Sequence, residues 1–380
     1  MELSLNEEQE ILKSSARNFL KEECPSSVVI ELEDDEKGFI PELWRKMADL
    51  GWMGLILPPE YGGSGADFLY YTVLLEEMGR ACMPSWFFST IALGAQIILD
   101  TGTDDQKSML LPSIASGDSV GTLALIDPKS SYDVRDIQMT SKKDGDDYIL
   151  DGIKLFVPDA HIADWIVCIT KGEGKEDGEP LLKLFQIDIK SPGISITQME
   201  SISDDRIFEV KFDGVRIPAD NLLGSKEHSA SVIEKILQRS ALAKCAEIVG
   251  GCQFVLDMTV EYAKQRIQFN RLIGSYQAIQ HHCANMLIDL DCSRYLTYYT
   301  AWMLSEGMEC EKELAMTKSF VSDACIKITT LGQQVNGGTG LMKESDMQLY
   351  FRRAKAASLT LGSATFQRKI VAREMGLRVS

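Results

Sequence analysis

The chain has 380 residues, 45% of them hydrophobic and 25% charged, a balance typical of globular proteins. Two or three domains are expected at this length. The 56 acidic and 39 basic residues give a net charge of −17, which argues against a general nucleic-acid-binding surface. No run approaches the roughly 18 apolar residues of a membrane-spanning helix, and the first residues lack the features of a signal peptide. We therefore expect a soluble, cytoplasmic protein.

The nine cysteines are scattered, with neither a CxxC pair nor the spacing of metal ligands. We interpret them as reduced core residues. His281 and His282 are neighbours in a helical pattern and have no metal-ligating partner close in sequence. The sequence therefore predicts no metal site.

Residues 1–120 have the periodicity of α-helices. Apolar residues recur at helical spacing between residues 12 and 20 and again between 43 and 53. The segment 57–65, LPPEYGGSG, is rich in Gly and Pro and is predicted to be a shaped loop between helices. We therefore predict an N-terminal α-helical domain over residues 1–120.

The pattern changes twice after that domain. Short β-rich runs separated by turn dipeptides, such as Asp144-Gly145 and Asp213-Gly214, predict a middle antiparallel β-domain over residues 121–224. Helical periodicity returns in residues 225–380, with one long helix interrupted only at Gly250-Gly251. Long helices joined by short loops predict a C-terminal four-helix bundle, and the fold class is α+β.

Two glycine turns lie in the last helical region. Gly337 and Gly338 precede one helical pattern, and Gly362 precedes the next. Backbone N–H groups can approach a ligand closely at such turns, and the helix N-termini that follow favour anions, so a phosphate-bearing cofactor fits here. The alternative is that these glycines merely end helices.

The order of helical, β and helical regions, together with four motifs, resembles the acyl-CoA dehydrogenase family over essentially the whole chain. The motifs are LPPEYGGSG, EEMGRA, YAKQRIQF with a following YQAIQH, and QVNGGTG. The resemblance implies a three-domain subunit that binds FAD between its β-domain and its C-terminal bundle. It also implies assembly as a dimer of dimers and transfer of electrons to an electron-transfer flavoprotein.

The resemblance assigns cofactor contacts to particular residues. Residues at the positions of Arg266 and Phe269 contact the FAD of the neighbouring subunit, and a guanidinium can bond a pyrophosphate bidentately. The other residues assigned to the cofactor are Gln277, Gln334, Gly337, Gly338 and Ser363. The alternatives are a solvated charge at a helix end for Arg266 and helix packing for Gln277.

The β-domain departs from the family pattern at two segments. Ile126-Asp127-Pro128 stands where the family typically has Thr-Glu-Pro, and Phe156-Val157-Pro158 stands where it has Trp-Ile-Thr. Phe156 keeps an aromatic face for the flavin. The threonine hydroxyl is lost and Pro158 has no N–H to donate, so we expect FAD to form fewer hydrogen bonds here than is usual.

The family's chemistry removes a proton from the α-carbon of an acyl-CoA thioester while hydride leaves the β-carbon for the flavin. A carboxylate in a dry pocket is needed as the base. Many members place this Glu immediately before the last Gly turn, where this chain has Leu361. Other members place it on the first long helix of the bundle, where this chain has Ser240. Neither residue can accept the proton as a carboxylate would.

Glu247 is the remaining candidate for the base. It follows Ser240 by seven residues, on the same face of one helix, and lies in an apolar run where burial would raise the pKa of an unpaired carboxyl group. We predict that it serves a substrate whose reacting carbons lie deeper in the pocket, or a bulky or cyclic acyl group. The alternative is a structural Glu bonded to Arg239, Arg352 or Arg353.

The sequence therefore predicts an FAD-dependent acyl-CoA dehydrogenase that forms an α,β-double bond in a bulky or cyclic acyl-CoA. Phe87 and Phe88 are expected to contribute to the width of its pocket. Two alternatives remain open. The chain could be a base-lacking subunit of a heteromeric acyl-CoA dehydrogenase, or a family member with other flavin chemistry, such as an elimination that needs no α-proton base.

Overall fold

The N-terminal helices begin at recognisable capping signals. In this computed structural model, which describes residues 5–377, the first helix α1 (Glu7–Glu23) starts at a capping box. The Asn6 side chain accepts the N–H of Gln9, and the Gln9 side chain accepts the N–H of Asn6. The next helices are α2 (Ser26–Asp34), α3 (Pro41–Asp49), α4 (Phe68–Arg80), α5 (Gln96–Thr101) and α6 (Asp104–Ala115). A buried π-helix, Phe88–Ala95, runs directly into α5.

Eight strands form the middle of the chain. They are β1 (Gly121–Ala124), β2 (Ser141–Asp144), β3 (Asp147–Pro158), β4 (Trp165–Glu176), β5 (Glu179–Asp188), β6 (Ile194–Met199), β7 (Ile207–Pro218) and β8 (His228–Ser229). One sheet has the order β1-β4-β5-β8 and the other β2-β3-β7-β6. All pairs are antiparallel except β1 with β4. Buried residues of both sheets, among them Ile166, Phe185, Leu150 and Val210, share one apolar cluster.

The C-terminal region is helical. Its elements are α7 (Ala230–Gln265), the short strands β9 (Ile267–Gln268) and β10 (Arg271–Leu272), α8 (Gln277–Ser305), α9 (Glu311–Asn336), α10 (Asp346–Leu359) and α11 (Ala364–Glu374). The predicted interruption at Gly250-Gly251 is wrong, because α7 is continuous over 36 residues. A Cβ atom on Gly250 would clash with the backbone carbonyl of Glu76 on α4. Gly250 therefore permits a close helix contact inside an unbroken helix.

The chain divides into two compact units. The first unit comprises the residues up to Glu31, Asp67–Met83 and the residues from Ala241 onward, and the second comprises Leu32–Ala66 and Pro84–Ser240. The predicted order of an N-terminal helical part, a middle sheet part and a C-terminal helical part is confirmed. The predicted boundaries near residues 120 and 224 stay a prediction. Within residues 5–377, no helix combines the length and apolar character needed to cross a membrane.

Candidate active site

The two sequence segments assigned to the flavin in the β-domain lie side by side in the second unit. The Leu155 N–H donates to the Ile126 carbonyl oxygen at 2.7 Å, in an isolated bridge between the two segments. The register of β3 with β7 shifts between Lys154 and Val157, and Phe156 has a φ of +56° there. A bulge of this kind redirects a side chain, and Phe156 is 47% exposed.

A buried ion pair supports these segments. Lys154 is fully buried, and its Nζ lies 2.7 Å from Oδ1 of Asp127 and donates to the Leu125 carbonyl oxygen at 3.0 Å. The other oxygen of Asp127, Oδ2, accepts the N–H groups of Gln138 at 2.6 Å and Met139 at 3.0 Å. The carboxylate is thus fully engaged in fixing the loop after β1. It is a structural group in this arrangement.

The sequence interpretation missed the role of Lys154, although a signal was present. Leu150, Gly152 and Lys154 are spaced two apart on β3 and so lie on one face of the strand. Leu150 is fully buried, so a lysine at that register is expected to be buried as well. A buried lysine needs a nearby carboxylate or several carbonyl groups, which points toward Asp127.

Ser240, one of the usual positions of the base, is fully buried in the second unit. Its hydroxyl donates to the carbonyl oxygen of Ala92 at 2.6 Å and lies 3.3 Å from that of Ile236. Ala92 belongs to the π-helix, in which Phe88 and every other residue is buried. The hydroxyl of Ser240 therefore holds the π-helix and is committed to backbone groups. Helices of the π type often occur at functional sites.

In the first unit, a hairpin presents the predicted pyrophosphate-binding residues. Arg266 directly follows α7 and is exposed. Phe269 and Asn270 form the turn between β9 and β10 with φ values of +52° and +63°, as in a type I′ hairpin turn. Phe269 is 87% exposed at the tip. Gln277 is exposed as the first residue of α8, whose N-terminus has no side-chain cap.

The first glycine turn follows the end of α9. Gly337 has φ +60° and ψ −142°, a conformation accessible essentially only to glycine. A Cβ atom built on Gly337 or Gly338 would meet no atom of the described chain within 4 Å. Gln334 lies exposed in the last turn of α9. The turn thus offers open backbone to a ligand.

The second glycine turn keeps an unusual backbone without the usual carboxylate. Leu361 is buried and has a φ of +58°, a conformation that costs a non-glycine residue roughly 1–2 kcal/mol. The carbonyl oxygen of Leu361 accepts from Nε2 of Gln367 at 2.9 Å. Ser363 caps α11 by accepting the N–H of Phe366 at 3.3 Å. Local contacts therefore hold a strained turn whose side chain is chemically inert.

Lys318 lies against the end of α10, the helix that precedes the second glycine turn. The sequence interpretation did not single out this lysine. It is fully buried, and its Nζ donates to Oγ of Ser322 at 2.9 Å and to the carbonyl oxygen of Ala357 at 2.9 Å. Ala357 is in the last turn of α10, where the helix dipole stabilises a cation. Leu314, Lys318 and Ser322 are spaced four residues apart and so lie on one face of α9, which is buried. This spacing could have predicted from the sequence that Lys318 is buried.

Glu247 is only 20% exposed and forms an ion pair with Lys244, one turn earlier on α7. Its backbone packs against Gly79 on α4, where a Cβ atom would clash with the Glu247 carbonyl group. Burial raises the pKa of the Tyr71 phenol well above its usual range, and the charge of Glu247 raises it further. Arg239, an expected partner of Glu247, pairs instead with Asp100 at 3.0 Å.

Three family models together match most of the chain. They describe the acyl-CoA dehydrogenase N-terminal domain at residues 6–118, the middle domain at 122–215 and the C-terminal domain at 230–376. The chain belongs to the acyl-CoA dehydrogenase family, and the resemblance inferred from the sequence motifs is confirmed. Members of this family bind FAD and are oxidoreductases acting on CH–CH groups.

Individual relatives match over nearly their full length. A probable acyl-CoA dehydrogenase of Bacillus subtilis, YngJ, is 31% identical over 99% of this chain and 100% of its own. The CarC subunit of the caffeyl-CoA reductase–Etf complex of Acetobacterium woodii is 28% identical, covering 96% of this chain and 97% of its own. The structure of butyryl-CoA dehydrogenase from Megasphaera elsdenii has a TM-score of 0.90 at 26% identity, covering 99% and 100% of the two chains.

Each unit, considered separately, presents described residues that suit a part of FAD. The first unit offers an exposed guanidinium, an exposed aromatic ring and an open glycine turn, at Arg266, Phe269 and Gly337-Gly338. The second unit offers the outward-facing ring of Phe156 beside a backbone fixed by Asp127. Clusters of three or more His, Cys, Asp or Glu that could hold a metal ion do not occur within residues 5–377.

Proposed function

We propose that this protein is an FAD-dependent acyl-CoA dehydrogenase that forms an α,β-double bond in a bulky or cyclic acyl-CoA thioester and passes electrons to an electron-transfer flavoprotein. The observation that carries the proposal is the bridge between Ile126 and Leu155 beside the outward-facing Phe156. The two segments that the family resemblance assigns to the flavin are almost 30 residues apart in sequence and adjacent in the fold. The name of the CarC relative, a subunit of a reductase–Etf complex, supports the choice of electron acceptor.

When bound, FAD supplies the hydride acceptor. The chain's own residues hold and orient the reactants: Arg266 presents guanidinium N–H donors for the pyrophosphate, the Gly337-Gly338 turn lets the cofactor approach the backbone closely, and Phe156 presents an aromatic face. Exposed apolar side chains of the first unit, such as Phe269 at 87% and Leu341 at 71%, support assembly into a dimer of dimers in which the cofactor site is shared.

Glu247 is the proposed proton acceptor. Its carboxylate is partly shielded from solvent, and the Lys244 ammonium beside it stabilises the ionised form. Taking up the α-proton would break this ion pair, so the base would release Lys244 as it accepts the proton. The pair therefore predicts that Lys244 influences the rate of proton abstraction.

Substitution of the carboxylate tests this assignment. The loaded Glu247→Gln variant is mixed with a panel of straight-chain, cyclic and aromatic acyl-CoAs, and bleaching of the flavin is followed. We expect a loss of at least about 100-fold in the bleaching rate with the substrate that bleaches the unaltered protein. Glu261→Gln, an exposed position on the same helix, is the matched control. Unchanged bleaching in Glu247→Gln would remove this residue from the mechanism.

A second candidate function is that of a base-lacking subunit in a heteromeric acyl-CoA dehydrogenase. It is favoured by Leu361 and Ser240, which leave both usual base positions without a carboxylate. Expression of the chain alone separates the two functions. A yellow protein that an acyl-CoA bleaches supports the dehydrogenase, and a colourless or aggregated protein supports the heteromeric subunit.

Flavin chemistry other than dehydrogenation is the third possibility. The reductase name of the CarC relative favours saturation of a double bond, a reaction in which the α-carbon receives a proton. A photoreduced sample tests this: reoxidation of the flavin by an α,β-unsaturated acyl-CoA, with no bleaching by the saturated one, would favour the reductase.

A further inference from the structure

A cavity of about 390 Å³ lies within the first unit, apart from every residue assigned above to FAD or to proton transfer. It is bounded by α1, the first turn of α2, the end of α4, and the helices α7 and α10. The residues that line it include Arg17, Lys21, Cys24, Arg80, Phe254 and Tyr350. Its volume lies within the range of roughly 300–1,000 Å³ typical of pockets for small molecules.

The polar groups of this cavity are mostly donors. Both oxygens of Glu77 are occupied by Arg17, through Nε at 2.8 Å and Nη2 at 2.7 Å. Nη2 of Arg80 lies 2.8 Å from Oδ2 of Asp257. Within residues 5–377, the Lys21 ammonium, Nη1 of Arg17, and Nε and Nη1 of Arg80 have no recorded partner. A ligand that satisfies these groups must therefore bring hydrogen-bond acceptors, and a negative charge would suit them best.

One wall of the cavity is aromatic. The rings of Phe254 and Tyr350 are stacked with centroids 4.5 Å apart and planes inclined by 15°. The guanidinium of Arg80 lies over the Phe254 ring, with its Cζ 5.9 Å from the centroid. Burial raises the pKa of the Cys24 thiol to about 11, so this side chain lines the cavity as a neutral, largely apolar group. A flat apolar group would pack well against these surfaces.

We propose that this cavity is a second small-molecule site, which binds an oxyanion carried on a flat apolar group, such as an aromatic carboxylate. The oxyanion meets Lys21, Arg17 and Arg80, and the ring packs beside Phe254 and Tyr350. The net charge of −17 repels anions over most of the surface of the chain. At this cavity Glu77 and Asp257 balance the charges of Arg17 and Arg80, and Lys21 adds a positive charge beside the aromatic wall, which favours an anion there. The proposal is independent of the reaction assigned to the protein.

The test uses the full-length, FAD-loaded protein and the fluorescent probe 2-naphthoate, with uncharged 2-naphthamide as the matched ligand. We expect saturable binding of one naphthoate per chain, and binding of the amide weaker by at least about 10-fold, or about 1.4 kcal/mol. Absence of saturable naphthoate binding, or equal affinity for the acid and the amide, would overturn the proposal.

Charge reversal at the cavity locates the bound probe. Lys21 is exposed, so Lys21→Glu is expected to fold, and Lys21→Met is a second variant that removes the charge without reversing it. We expect both to weaken naphthoate binding, Lys21→Glu by about 10-fold or more, while Lys21→Arg retains it. The control is Lys312→Glu, a charge reversal on α9 at a residue that does not line the cavity. If Lys21→Glu and Lys312→Glu bind naphthoate equally well, the probe lies elsewhere and the assignment is wrong.

Discussion

Two lysines are fully buried in the two units, and their charges are stabilised differently. Lys154 in the second unit has a carboxylate, Asp127, at 2.7 Å. Lys318 in the first unit has a hydroxyl group and carbonyl oxygens at the end of α10, and within residues 5–377 it has no recorded ion pair. Lys154 holds the loop after β1, part of which the family resemblance assigns to the flavin, and Lys318 holds the end of α10, which leads into the second glycine turn. The difference predicts that removing Lys154, which leaves a buried carboxylate without its partner, costs more stability than removing Lys318, which leaves only neutral groups without theirs.

The largest expected effect on stability is at Lys154. Lys154→Met leaves the carboxylate of Asp127 buried without its ion-pair partner, which typically costs about 3–5 kcal/mol. The free energy of unfolding in urea measures this cost. The double variant Asp127→Asn/Lys154→Met removes both charges and should recover part of the loss. A single-variant loss below about 1 kcal/mol would contradict the prediction that the buried Asp127 carboxylate depends on Lys154.

Leu361→Glu tests whether the scaffold of the second glycine turn still suits a base. Residue 361 has a φ of +58° as leucine, and glutamate can occupy that backbone conformation as leucine does, so the substitution needs no new backbone conformation. We expect the rate of flavin bleaching by acyl-CoA to rise by about 100-fold if the protein otherwise lacks an effective base. Leu361→Gln, of similar shape and without basicity, is the control. A rise in the bleaching rate smaller than about threefold would instead indicate that Glu247 already acts as the base, or that a side chain at position 361 does not contact the substrate.

Lys318→Met should cost less than Lys154→Met, about 1–3 kcal/mol, because it leaves neutral carbonyl groups and not a carboxylate without a partner. Lys355→Met, at an exposed lysine of α10, is the matched control and should change the free energy of unfolding by less than about 0.5 kcal/mol. A cost for Lys318→Met equal to that of Lys154→Met would remove the distinction between the two units.

The pH dependence of Lys318→Met provides a second measurement. Burial lowers the pKa of the Lys318 ammonium below its usual value of 10.5. Between the lowered pKa of the folded state and 10.5, the unfolded chain binds more protons, so this group makes the folded state more stable as the pH rises. The stability deficit of Lys318→Met relative to the unaltered protein should therefore grow as the pH approaches 10.5. A deficit that is constant with pH would contradict this account.

The sequence predicted the order of the regions because helical and strand periodicity are local properties. It failed where a tertiary contact decides the outcome, as at Gly250, which accommodates a neighbouring helix and does not break its own. The partner of Glu247 could have been predicted, since Lys244 is three residues away on the same helix. The backbone conformation of Leu361 could not have been predicted, because leucine avoids positive φ. Contacts within the turn, including the hydrogen bond from Gln367, hold Leu361 in that conformation.

The smallest expected effect on stability is at the first glycine turn, which follows the helix that carries Lys318. Gly337→Ala forces alanine into φ +60°, ψ −142° and should cost about 1 kcal/mol or more. The methyl group added by Gly338→Ala meets no atom of the described chain within 4 Å, so the expected cost in stability is below about 0.5 kcal/mol.

If the FAD of a neighbouring subunit approaches Gly338, however, the added methyl group will weaken FAD binding several-fold at unchanged stability. Equilibrium dialysis of FAD against both variants measures this. If Gly338→Ala binds FAD as tightly as the unaltered protein does, FAD does not contact Gly338, and the role of this turn is structural.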